Sequence, residues 1–152
     1  FEYNGRTYFN TGTNGILYED GYFKLTGRAS RFFIMSTLNK VYLDHVQNAI
    51  NMIDIVDECA VVKQEDQDLL FVPKVYVVLK EGINDLDDAK NYILSKCKSV
   101  ISNGVSSAEL KEYEIPADIE FIDELPRKSG TEKIDYDYLE NINREVKVKT
   151  LK

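Results

Sequence analysis

The sequence predicts an α+β fold: a small mixed sheet covered by about three helices, with β-hairpins ahead of it. Three patterns carry that expectation. Short β-branched and aromatic runs recur at Arg31–Met35, Asp57–Lys63, Val72–Lys80 and Ile119–Ile122. Elsewhere apolar residues shift to helical spacing. In the first 27 residues, Asn-Gly and Asp-Gly pairs supply the positive φ that tight turns need. Hairpins followed by the order β-α-β-β-α-β-α place helices over one sheet.

From Phe1 to Gly27 the reading is β, with Tyr3, Tyr8, Phe9, Ile16, Tyr18, Tyr22, Phe23 and Leu25 broken by Asn4-Gly5, Asn14-Gly15 and Asp20-Gly21. The clearest hairpin closes at Asp20-Gly21. Arg31–Met35 suits a buried strand, and a polar loop follows through Lys40. Leu43, Val46, Ile50 and Ile53 share one face of a helix beginning near Tyr42. Strands around Cys59–Val62 and Val72–Lys80 flank the acidic stretch Gln64–Asp68, expected as a solvated loop. Leu86, Ala89, Ile93, Cys97 and Val100 form the stripe of a second helix, with Asn84 or Asp85 as N-cap. Ser102–Glu114 reads as a loop with one short helical turn, and Arg127–Glu132 as a polar loop. A last helix from about Tyr136 spaces Leu139, Ile142 and Val146 on one face.

At 43% hydrophobic and 30% charged residues, the 152-residue chain can bury a core. Its 19 Lys+Arg against 26 Asp+Glu give a net charge of −7. No nucleic-acid partner is expected, because gripping a phosphate backbone needs a basic face. Apolar runs such as Val75–Leu79 fall far short of the roughly 18 residues of a membrane span. No charged-then-apolar leader is visible, and a cytoplasmic location is expected. Cys59 and Cys97 lack metal-ligand spacing and His45 is the single histidine, so no metal site is expected. Both cysteines read as small buried hydrophobes of a reduced protein. A chain opening on Phe1 reads as a fragment, a processed product or one whose start has been removed.

The order of short segments says more. Thr11-Gly12-Thr13-Asn14-Gly15 precedes Tyr18–Leu25 and Thr26-Gly27-Arg28; then come Ala60-Val61-Val62, Val75–Gly82 and Tyr113-Glu114-Ile115-Pro116. Ile119–Arg127 and Glu132-Lys133-Ile134-Asp135 close the series. Together they resemble the C-terminal end of the adenylate-forming synthetases: acyl-CoA synthetases, peptide-synthetase adenylation domains and luciferases. The resemblance implies that residues 1–28 are the tail hairpins of a missing large N-terminal domain, 29–145 a mobile C-terminal lid, and 146–152 a tail. It implies an AMP-forming acid–thiol ligase as the parent, using ATP with Mg2+ and a carboxylic acid substrate. The acceptor would be coenzyme A or a phosphopantetheine carrier protein, and no ligand is expected on this fragment alone. The competing expectation is a degenerate adenylation-like module that serves protein interaction or carrier docking without catalysis.

The resemblance also implies roles for particular residues. Lys133 matches the family's catalytic lysine, whose ammonium contacts both the acid's carboxylate and nucleotide oxygens. Glu132 stands where the family has glycine, and its carboxylate is expected to compete for that charge. Thr13 replaces the family's ribose-binding Asp, giving either a weakened nucleotide contact or simply a turn. Arg28 matches the Arg beside the ribose and phosphates, the alternative being a surface charge ending a strand. Ser30 or Arg31 falls at the hinge, and no glycine follows where the family's lets a pantetheine thiol pass. His45 falls on a family Glu and reads as a partly buried helix residue.

Overall fold

The computed structural model describes residues 2–98 and 110–142. Strands β1 (Glu2–Tyr3) and β2 (Arg6–Thr7) pair across Asn4-Gly5, both at positive φ as the primed hairpin turn requires. β3 (Thr13–Leu17) and β4 (Phe23–Arg28) form the next hairpin. It closes at Asp20-Gly21, where the Asp20 carboxylate accepts the Tyr22 amide at 3.0 Å. Asn14-Gly15, expected as a turn, instead lies within β3 at a bulge. The reason is the Phe23 ring, which lies 2.2 Å from where a Cβ on residue 15 would stand.

β5 (Phe32–Ile34) and β6 (Lys40–Tyr42) make a third hairpin, so the stretch expected as a loop ends in a strand. Its buried anchor is Val41, fully buried and paired with buried Phe33. In the connecting turn Leu38 has φ 64° and is 85% exposed. A left-handed leucine costs about 1–2 kcal/mol, against about 0.5–1 kcal/mol of added chain entropy for glycine. Leu38→Gly should therefore raise stability by roughly 0.5–1 kcal/mol in urea denaturation; a lower midpoint would refute the strain.

Helix α1 (Leu43–Asn51) buries Leu43, Val46 and Ile50, and Ile53 is buried just past its end. β7 (Val56–Asp66) and β8 (Leu70–Leu79) are antiparallel, and β9 (Asp118–Phe121) runs parallel to β8, giving the mixed sheet β7-β8-β9. β7 continues through 64–66, expected as loop. Asp66 accepts the Asp68 and Leu69 amides at 3.0 and 2.8 Å, and this tight turn lets the ladder run to the Asp66–Leu70 pair. Buried Lys74 lies 2.6 Å from Glu120 and 3.4 Å from Asp118, holding β9 to β8 by charge as well as by the ladder.

Helix α2 (Leu86–Lys98) is capped by Asp85, which accepts the Asp88 amide at 2.9 Å. Ala89, Ile93 and Cys97 are buried, while Leu86 is half exposed and lines a 360 Å³ cleft beside Phe121 and Ile122. Glu112–Glu114 is a single 3-10 turn, and residues 136–142 are helical (α3). Leu139 is buried and Ile142 half-buried. Val100, Val146 and most of the Ser102–Glu114 stretch lie outside the described residues.

The sheet is buried on both faces, which explains why its strands are nearly continuous in apolar residues. Cys59, Val61, Val75 and Val77 face α1 and α2 in one core. Ala60, Val62 and Tyr76 face Leu125, Ile134, Tyr136 and Leu139 in the other. Both cysteines are free and buried. Burial, aided by neighbouring Cys97, pushes the Cys59 thiol up to about 12, and burial pushes Cys97 up to about 11. Neither is a nucleophile at neutral pH. Among the described residues, no helix is long and apolar enough to cross a membrane.

Candidate functional site

The junction between β4 and β5 gathers four of the five residues singled out by sequence. Thr13 opens β3 directly opposite Arg28, the last residue of β4. The exposed Arg28 guanidinium donates to the Thr11 carbonyl at 3.2 Å and reaches the Thr13 hydroxyl at 3.5 Å. Ser30 is exposed in the turn that follows, its carbonyl accepting the Phe32 amide at 3.1 Å. Arg31 is different. Its side chain is 19% exposed, ion-paired with Asp44 in the first turn of α1. It also donates to the Val61 carbonyl at 2.7 Å and lies 3.6 Å over the Tyr136 ring.

These contacts follow from the geometry of the sheet edge. β7 is an edge strand, and its outward groups would lack partners. Side chains one helical turn apart on α1 meet them: Gln47 accepts the Val61 amide at 3.2 Å, and Asn51 accepts the Cys59 amide at 2.9 Å. Arg31 completes the edge at the Val61 carbonyl. The Gln47 amide group also lies 3.0–3.1 Å from the Tyr136 hydroxyl, so α1, β7 and α3 share one polar knot.

Asp44 was not legible as a site residue. One of its oxygens takes the Arg31 guanidinium; the other accepts the Arg28 backbone amide at 2.6 Å. The signal that could have found it is Gly27. At φ 141°, a Cβ there would stand 2.5 Å from the Asp44 Cβ and 2.4 Å from its carboxylate oxygen. Asn14, Ile16, Arg28, Arg31, Tyr42, Asp44 and His45 surround a shallow 240 Å³ cleft at this junction. His45 is exposed rather than partly buried, because it lies off the Leu43–Val46–Ile50 stripe.

Lys133 stands outside that cluster, on the loop between Arg127 and Ile134. The loop is closed by a bridge between those two residues and by the Lys128 amide donating to the Lys133 carbonyl at 2.8 Å. Arg127 ties it to β7 through Glu58 at 2.5 Å, and Lys128 ties it to α3 through Asp137 at 2.8 Å. That pairing raises the Lys128 pKa and lowers that of Asp137. The Lys133 side chain is exposed. Among the described residues it makes no hydrogen bond or ion pair, so the expected competition from Glu132 takes no such form.

Comparison with known proteins agrees with this architecture. A family model for the AMP-binding enzyme C-terminal domain matches residues 45–133. A Rhodococcus jostii ligase, 3-[(3aS,4S,7aS)-7a-methyl-1,5-dioxo-octahydro-1H-inden-4-yl]propanoyl:CoA ligase, is 31% identical over 79% of this chain and 21% of its own. Benzoate--CoA ligase of Thauera aromatica is 29% identical over 82% of this chain and 21% of its own. The crystal structure of the anthranilate CoA ligase AuaEII with anthranoyl-AMP superposes with a TM-score of 0.72 at 25% identity, covering 91% of this chain and 25% of that one. The chain thus spans about a fifth to a quarter of the length of these relatives. With the mixed sheet, its helices and more than half of the sequence matched, the chain belongs to the C-terminal domain family of AMP-binding enzymes.

Proposed function

We propose that this chain is the lid of an AMP-forming acid–thiol ligase, with residues 1–28 the last hairpins of that enzyme's large domain and 29–145 the mobile part. The observation that carries the reading is the division of the apolar surface. Among the described side chains of 2–28 none enters either core, while Phe9, Leu17, Tyr22 and Leu25 are 65–90% exposed. Such a stretch needs another body to cover it. The relatives named CoA ligases favour a catalytic parent over a module kept only for docking.

In that parent, Lys133 would bridge the acid's carboxylate and the nucleotide while negative charge moves onto the departing pyrophosphate. Its exposure and its braced loop suit a cation that must act across an interface. Arg28 offers a planar, permanently charged donor to ribose and phosphate oxygens, and Thr13 a single uncharged oxygen beside it. These two supply one rim of a nucleotide site, with ATP and Mg2+ held mainly by the upstream domain. Ser30 and Arg31 would take up the rotation that exchanges adenylation for transfer to coenzyme A or a carrier thiol. A pyrophosphate-exchange screen of the complete parent against a panel of carboxylic acids tests the reading. Acid-dependent exchange is expected for at least one acid; a parent that neither exchanges pyrophosphate nor carries a phosphate-binding domain upstream of Phe1 would refute it.

A further inference from the structure

We propose that Asp44 is a positioning latch, a single carboxylate that holds the end of the N-terminal hairpin to the body of the lid across the hinge. Three observations converge on it. Its two oxygens are divided between the two sides of Ala29-Ser30: one takes the Arg28 amide at 2.6 Å, the other the Arg31 guanidinium. The Asp44 side chain is 16% exposed and that of Arg31 19%, so their ion pair is sheltered from water and not a solvated surface pair, while the bond to the Arg28 amide lies at the surface. The chain also makes room for it, since Gly27 leaves open the space in which the Asp44 side chain sits.

The latch reaches further than its own contacts. Arg31 covers the Tyr136 ring, and Tyr136 follows Lys133 by three residues on the same anchored segment. Asp44 therefore connects the hairpin to the part of the lid that carries Lys133, through Arg31 and without touching Lys133. Its position at the start of α1, where the helix dipole favours an anion, holds the carboxylate in place. Rotation about 29–31 must break the bond to Arg28, the bond to Arg31, or both.

The latch is tested without any catalytic assay. In this 152-residue chain the Arg28 amide should exchange with solvent deuterium at least about tenfold more slowly than the free-peptide rate, the protection expected of a charge-assisted hydrogen bond. Trypsin can cut after Arg31 only when its guanidinium leaves Asp44, so Asp44→Asn should speed that cleavage at least about tenfold. Glu58→Gln, which breaks the distant Arg127 pair, should leave it unchanged. An Arg28 amide exchanging at the free-peptide rate would overturn the latch even if the variants fail to fold. So would equal acceleration in both variants, which would report general loosening. The catalytic consequence rests on the lid reading: in the parent, Asp44→Asn should change the ratio of thioester formation to adenylate formation by severalfold. If exchange and cleavage behave as expected but that ratio does not move, the latch stands and the lid reading falls.

Discussion

Lys133→Ala, made in the complete parent, should slow acid-dependent pyrophosphate exchange by on the order of 10²–10³, the usual loss when a preorganised charge-stabilising donor is removed. Thioester formation from pre-made adenylate should survive, because no pyrophosphate leaves in that step. The substitution is clean. The Lys133 side chain is exposed and makes no ion pair among the described residues, so folding stability should stay within about 0.5 kcal/mol. The loop itself is held by backbone and neighbouring contacts that alanine retains: the Arg127–Ile134 bridge, the Lys128 amide bond to the residue-133 carbonyl, and the Arg127–Glu58 pair. A fall in exchange therefore reads on chemistry and not on collapse of the loop. Exchange near the wild-type rate would remove Lys133 from the adenylation step.

Gly27→Ala should cost about 3 kcal/mol in urea denaturation of this chain, combining two penalties of roughly 1–3 kcal/mol each. The first is backbone strain at φ 141°, a region essentially reserved for glycine. The second is overlap, with the new methyl 2.5 Å from the Asp44 Cβ, an atom fixed to α1 and unable to swing aside. Gly82→Ala separates the two: its φ is 89° but nothing lies within 4 Å, so only strain applies and about 1 kcal/mol is expected. Asp44→Ala shortens the obstacle, and the double variant should lose less than the sum of the singles. Equal losses at Gly27 and Gly82, or strict additivity with Asp44, would show that the close approach carries no energy.

Particular residues show which parts of the fold could be read in advance. The stripe Leu43–Val46–Ile50 and the run through Val75-Tyr76-Val77 are local signatures of a helix and a strand, and both form as expected. The Asp20-Gly21 hairpin forms for the same local reason. Asn14-Gly15 misled because the same dipeptide serves a turn or a bulge, and a ring from eight residues away decides between them. Lys40–Tyr42 was missed as a strand because one buried valine carries no period.

By itself, then, the sequence determined the helical and strand periods, the mixed sheet and the family, since each rests on spacing or order along the chain. Tertiary structure alone decided what Arg31 touches. Arg31 could be placed by alignment of motifs, but its partners Asp44, Val61 and Tyr136 lie 13, 30 and 105 positions away. No local pattern brings them together; the free edge of β7, which must satisfy its outward amides and carbonyls, does.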